Sequence, residues 1–202
     1  MTQAQFQQVL AVQQELISQI ADSAARLHES VNQHYDHIHP YSVHLGMVAD
    51  TVRQYGHEVC ASAADVVPMM FGAYYHDSME DARLTYNDVM RTARQFMYDE
   101  QALVATEIVY ALTNDKGRTR AERAGERYYA GIRQTPYAPL VKLCDRYANS
   151  SYSVHHSNEA NAHMRNVYLQ ELPHFIASIS VATDDVRYRL PEALLHDLRA
   201  LL

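Results

Sequence analysis

The segment Tyr74-Tyr75-His76-Asp77-Ser78-Met79-Glu80-Asp81 ends an apolar run with four ionisable side chains, His76, Asp77, Glu80 and Asp81. On a helix turning roughly 100° per residue those four fall within about 140° of arc, so the spacing predicts one chemically dense face at a helix end. Three carboxylates and an imidazole so close together repel one another unless a cation or fixed positive groups hold them. A divalent metal ion is the simplest single partner. The bare dipeptide His-Asp is weak evidence, since His196-Asp197 repeats it with nothing to support a site. Two other stretches strengthen the case. Val141-Lys142-Leu143-Cys144-Asp145-Arg146-Tyr147-Ala148-Asn149 places another aspartate after an apolar helical stretch, and Pro40-Tyr41-Ser42-Val43-His44 sets a histidine at a helix start. With 12 histidines in 202 residues, metal-ligand chemistry is the first to look for.

Helical periodicity supplies the elements that must position these groups. Val104, Ala105, Ile108, Val109 and Leu112 form one helical stripe, and Met164, Tyr168, Leu172, Phe175, Ile176 and Ile179 form another. Pro173 lies inside the second, which predicts a kink or a division. Val9, Val12, Leu16 and Ile20 predict an N-terminal amphipathic helix, and Leu194, Leu195, Leu198 and Leu201 a last helix opened by Pro191. The longest apolar stretch, VVPMMFGAYY, is interrupted by Pro68 and Gly72, which argues against a membrane span. Turn chemistry marks joints at His37 to Pro40, Thr113 to Gly117, Thr135-Pro136 and Ser150 to Asn161. No segment sustains period-two alternation, so the fold class expected is all-α.

Composition narrows the function classes. A formal charge of −7 gives no general electrostatic reason to bind bulk nucleic acid or an anionic membrane. Cys60 and Cys144 are too few and too far apart for a disulfide framework and suit a reducing compartment. The first twenty residues lack a positive segment followed by an unbroken apolar one, so the expected location is cytoplasmic.

The order of PYxxH with a following VA, then HDxxED with TYND just after it (Thr85 to Asp88), then KLCDRYAN resembles the hydrolase domain of RelA/SpoT-type enzymes and the small alarmone hydrolases, members of the HD superfamily. The likeness covers roughly residues 35 to 180. It implies a single-domain HD-type helical bundle with a metal site in its centre. Residues 1–34 would be an N-terminal helix packing on the domain, 35–180 the hydrolase core and 181–202 a C-terminal helix. By the same resemblance His44, His76, Asp77 and Asp145 are ligands of one divalent ion, typically Mn²⁺. Two imidazoles and two carboxylates suit such a borderline-hard ion. Glu80 and Asp81 match the family's pair that orients and deprotonates the attacking water. Arg146 and Asn149 match residues near the nucleotide and the metal, with Lys142 as a further contact to substrate.

Three departures bear on substrate. His39-Pro40 also resembles the family's histidine-proline pair and competes with His44 for the first ligand position; His44 aligns better with the preceding Pro-Tyr. The stretch from His44 to His76 is long, which implies an extra loop or lengthened helix around Tyr55 to Val67. The Arg-Lys pair that such hydrolases carry upstream of the first histidine is replaced by Tyr35 and Asp36. Other cations are available in Lys116, Arg118, Arg120 and Arg123, and Tyr35, Tyr41 and Tyr147 could stack on a base. The expected activity is hydrolysis of the 3′-pyrophosphate of (p)ppGpp-like nucleotides, with a small phosphorylated nucleotide as the partner. The alternatives are a phosphohydrolase of another nucleotide, such as the 2′-phosphate of NADPH, and a catalytically silent nucleotide-binding HD module.

Overall fold

The helix α4, Val66–Tyr75, is apolar on every side, and all ten of its residues are buried. A helix with no polar face has to lie inside the molecule. In the computed structural model, which describes residues 1–114, 117–156 and 158–202, the other helices pack around it. Pro68 does not break α4, because it sits in the first turn, where an N–H has no partner inside the helix. Gly72 does not break it either. A Cβ there would meet Ile108 Cγ2 at 2.6 Å, so glycine lets α4 approach its neighbour closely.

Before α4 come α1 (Gln3–Val12), α2 (Gln14–Ser30), a two-strand hairpin of β1 (His34–Tyr35) and β2 (His39–Pro40), and α3 (Ser42–Tyr55). After it come α5 (Tyr86–Ala93), α6 (Asp99–Leu112), α7 (Arg120–Arg123), α8 (Glu126–Gln134), α9 (Ala138–His155), α10 (Glu159–Ile179) and α11 (Glu192–Leu201). The helix α3 packs on α9 and α4, α6 packs on α4 and α5, and α10 and α11 pack on α9. The fold is all-α, one hydrophobic core running through a single domain. No helix among the described residues is long and apolar enough to cross a membrane.

Several sequence expectations change. The N-terminal helix is two helices meeting at Gln13, and its buried face is Phe6, Leu10, Ile17 and Ile20, with Val12 75% exposed. Pro173 does not divide α10, which runs unbroken for 21 residues. Ser150 to His155 is not loop but the end of α9; the small buried side chains of Ser150 and Ser153 fit a packed helix face where bulkier residues would not. Ser157, in the rest of that predicted loop, lies outside the described residues, as do Asp115 and Lys116 of the Thr113 to Gly117 joint. The stretch from Tyr55 to Val67 holds two short 3₁₀ turns, Gly56–Glu58 and Ala63–Asp65. The hairpin near His37 was expected only as a joint. Asp36 and His37 turn it with φ of 50° and 62°, a left-handed pair closed by Ile38 N–H to the Tyr35 carbonyl at 3.3 Å, with Ile38 a third loop residue before His39 pairs with Tyr35.

Candidate metal centre

Three elements converge where α4 ends. The first turn of α3 carries His44, the residues just past Tyr75 carry His76 and Asp77, and the middle of α9 carries Asp145. Sequence spacing placed His76 to Asp81 on one helical face; the structure corrects this, because α4 stops at Tyr75 and residues 76–81 form a hydrogen-bonded turn. At this end of the helix His76 Nδ1 donates to the Ala73 carbonyl at 2.9 Å. Ser78 N–H then donates to the Tyr75 carbonyl, and Asp81 N–H to the Asp77 carbonyl.

The same hydrogen bond fixes the chemistry of His76. A carbonyl only accepts, so Nδ1 holds the proton and Nε2 of the neutral ring presents its lone pair to the centre. That Nε2 lies 2.8 Å from Asp77 Oδ2 and 3.2 Å from His44 Nε2. His44 Nε2 is 3.4 Å from Asp145 Oδ1 and 3.6 Å from Asp77 Oδ2, and His76 Nε2 is 3.9 Å from Asp145 Oδ1. His44, His76 and Asp145 are buried and have donor atoms all within 4.8 Å of one another, a group that could hold a metal ion. Donors about 2.0–2.2 Å from one ion and 90–110° apart lie roughly 2.8–3.6 Å from each other. All but one of the five separations lie in that range.

Burial alone would push both imidazoles toward neutrality. The carboxylates outweigh it: hydrogen bonds and charge from Asp145 and Asp77 raise His44 to about 9, and His76 is raised chiefly by Asp77. Asp77 and Asp145 are themselves held well below the usual carboxylate range despite burial, Asp77 chiefly by His76 and Asp145 chiefly by Lys142. Positive charge is what this cluster requires, whether as protons or as one metal ion.

Each carboxylate is also braced from outside. Tyr41 Oη donates to Asp77 Oδ2 at 2.5 Å. Lys142 Nζ donates to Asp145 Oδ2 at 2.9 Å, and Asn149 Nδ2 to Asp145 Oδ1 at 2.6 Å. Ligand carboxylates and imidazoles of metal sites are commonly oriented in this way. His39 is elsewhere, in β2 with its ring beside Tyr152, while His44 occupies the centre.

The remaining predicted residues separate. Asp81 is half-buried, takes a hydrogen bond from Gln33 Nε2 at 3.1 Å, and is raised to about 6 by burial and by the charge of Asp77. Glu80 is exposed and held by the Asn114 side-chain amide at 2.8 and 3.0 Å. Arg146 points away from the four donors. Its guanidinium pairs with Glu171 at 2.9 Å and lies over the Phe175 and Tyr168 rings, 4.3 and 4.7 Å from their centroids. It lines a cavity of about 570 Å³ together with Lys142, Asn114, Arg123, Tyr128 and Phe175. Lys142 therefore joins the cavity to the candidate centre. Arg123 is in the cavity wall, whereas Arg118 is exposed, and Lys116 and the Arg120 side chain lie outside the described residues. Tyr147 pairs with Tyr55, 6.2 Å between centroids. Sequence reasoning missed Gln33, Asn114 and the bracing role of Tyr41; the first two come close only in the fold, whereas Tyr41, three residues before His44, was within sight.

Fold and site together define an all-α domain with a candidate metal centre beside a polar, partly aromatic cavity. No protein-family model matches the chain, and no curated protein matches it.

Proposed function

We propose that this protein is a metal-dependent phosphohydrolase of the HD superfamily that acts on a phosphorylated nucleotide, with the 3′-pyrophosphate of a (p)ppGpp-like alarmone as its substrate. The observation that carries this is the convergence of His44, His76 and Asp145 from three distant stretches of chain, with Asp77 against both imidazoles, beside a cavity with Lys142 and Arg146 in its wall. His44, His76, Asp77 and Asp145 would hold the ion, and their mixed imidazole and carboxylate character suits Mn²⁺. A divalent ion supplies Lewis acidity, lowering the pKa of water and offsetting phosphoryl charge.

The chain's own groups do the rest. Asp81, half-buried and hydrogen-bonded by Gln33, is the carboxylate to take a proton from water. Glu80, fixed by Asn114, orients that water. Lys142 offsets charge on the phosphoryl oxygens, and Arg146 and Arg123 supply cationic wall for the remaining phosphate. Asn149 stands beside Asp145 at the nucleotide's edge of the site. Water adds to the 3′-pyrophosphate, releasing pyrophosphate and GDP or GTP.

One feature favours a second substrate. Tyr35 and Asp36, in place of the family's Arg-Lys pair, are engaged in hydrogen bonds with Asn149 and Tyr152 and bring no cation to that side. A nucleotide gripped only from the Lys142 side, such as one with a 2′-phosphate, fits that arrangement.

The test is a hydrolysis panel with Mn²⁺ covering guanosine tetraphosphate, NADPH, deoxynucleotides and cyclic nucleotides. Metal-dependent release of pyrophosphate from guanosine tetraphosphate is expected, and Glu80→Gln should lower it by about 10²–10⁴-fold with metal still bound. Turnover undiminished in Glu80→Gln would remove the role given to that residue. No metal-dependent turnover on any member of the panel would leave a silent nucleotide-binding module.

A further inference from the structure

Among the four groups of the candidate centre, three have a hydrogen bond that fixes them from outside: His76 to Ala73, Asp77 from Tyr41, and Asp145 from Lys142 and Asn149. His44 differs. Its Nδ1 is buried and has no hydrogen-bond partner among the described residues. With Nε2 directed at the centre and Nδ1 unbonded, the tilt of the ring about that direction is left to packing, and the packing is aromatic. The Tyr35 ring stacks on His44 with centroids 5.0 Å apart and planes 15° from parallel, and the Tyr41 ring meets it edge-on at 5.4 Å.

Tyr35 reaches a second donor through its hydroxyl. Tyr35 Oη donates to Asn149 Oδ1 at 2.9 Å, which leaves the Asn149 amide nitrogen facing Asp145, where it donates to Oδ1 at 2.6 Å and to the backbone carbonyl at 3.1 Å. The hydroxyl therefore selects which end of the Asn149 side chain faces the carboxylate. The reverse orientation would set an amide oxygen against Asp145 Oδ1, two acceptors with no proton between them. Tyr35 is itself held in place, because the next residue, Asp36, accepts from Tyr152 Oη at 3.0 Å and from Asn161 Nδ2 at 3.4 Å, anchoring the hairpin to α9 and α10.

We propose that Tyr35 is a positioning residue of the metal centre, its ring setting the plane of His44 and its hydroxyl, through Asn149, setting the coordinating oxygen of Asp145. This rests on the reading that the cluster holds a divalent ion. It gives the residue that stands where the family carries a basic substrate contact a different task in this chain.

The experiment is Mn²⁺ titration by calorimetry of the metal-stripped full chain, wild type against Tyr35→Phe and Tyr35→Leu. Thermal melts of the metal-free proteins and electron paramagnetic resonance spectra of bound Mn²⁺ accompany it. Loss of an outer partner of a metal ligand typically weakens binding by about 10–100-fold. Tyr35→Phe, which keeps the ring, should fall at the lower end of that range, and Tyr35→Leu, which removes both effects, at the upper. The Mn²⁺ spectrum should broaden in both, and the Phe variant should melt within a few degrees of wild type. Wild-type binding with both variants within twofold of it and spectra unchanged would overturn the assignment of Tyr35 and leave the centre standing. Absence of Mn²⁺ binding by the wild type would overturn the centre and the assignment together. If the Leu variant does not fold, the Phe variant alone decides.

Discussion

His44 shows how a single residue depends on its surroundings. It is an ordinary histidine in sequence, distinguished from His39 only by the Pro-Tyr before it, yet the fold buries it against two carboxylates that raise it from 6.5 to about 9. The sign of the consequence follows from which state holds the proton more tightly. Because the folded value lies above the unfolded one, this interaction stabilises the metal-free protein fully below pH 6.5 and is lost as pH rises through about 9. The depressed Asp77 and Asp145 act oppositely, contributing above the ordinary carboxylate range and losing their effect as the pH falls. Urea unfolding in the presence of a chelator should therefore show stability falling by about 1–3 kcal/mol between pH 6.5 and 9. Equal stability at both values would mean that His44 carries no proton in the metal-free cluster. Much of the donor set was legible at this scale, since histidine and aspartate at the ends of apolar runs are visible in sequence. Of the braces, Lys142 and Asn149 stand in the same KLCDRYAN stretch as Asp145, but the roles of Tyr41 and Gln33 do not show there. Tyr41 is one of 15 tyrosines, and Gln33 reaches Asp81 across 48 residues of chain.

Helices α6 and α11 could be read from their apolar period because each keeps one face in the core and one in solvent. α4 has no such period, since complete burial removes it, and in sequence it reads as a helix only from its apolar run ending in ionisable residues. Burial also explains Ser150 to His155, where packing overrides the turn preference of serine. The predicted helical face from His76 to Asp81 fails because α4 stops at Tyr75 and the chain turns there, with Ser78 N–H donating to the Tyr75 carbonyl, which no periodicity reveals. The close approach of α4 and α6 at Gly72 yields a prediction of definite sign. Alanine is favoured over glycine inside a helix by about 1 kcal/mol, whereas forcing a methyl into a filled contact costs about 1–3 kcal/mol. With Ile108 Cγ2 2.6 Å and Ile108 Cβ 3.3 Å from the added carbon, the second effect should win. Gly72→Ala should lower the urea midpoint, by an amount worth up to about 2 kcal/mol. An unchanged or raised midpoint would mean that α4 and α6 separate there at little cost.

For the whole molecule, the all-α class was legible because no stretch alternates and several repeat with helical period, and the structure has that architecture apart from one two-residue-strand hairpin. That hairpin carries Tyr35 on one side of its turn and leads into Tyr41 and His44 on the other. The single core brings the candidate ligands His44 and Asp145, 101 residues apart in sequence, to 3.4 Å of each other. A net charge of −7 makes a buried pair of carboxylates costlier still, so the chain gains from any cation held between them. The most direct measurement is the Mn²⁺ stoichiometry and affinity of the metal-stripped wild type on titration, beside His44→Ala, His76→Ala, Asp145→Ala and His39→Ala. One ion per wild-type chain is predicted, lost in the first three variants and kept in the fourth. No saturable site in the wild type, or one that survives His44→Ala and Asp145→Ala, would contradict the metal centre on which the proposed activity depends.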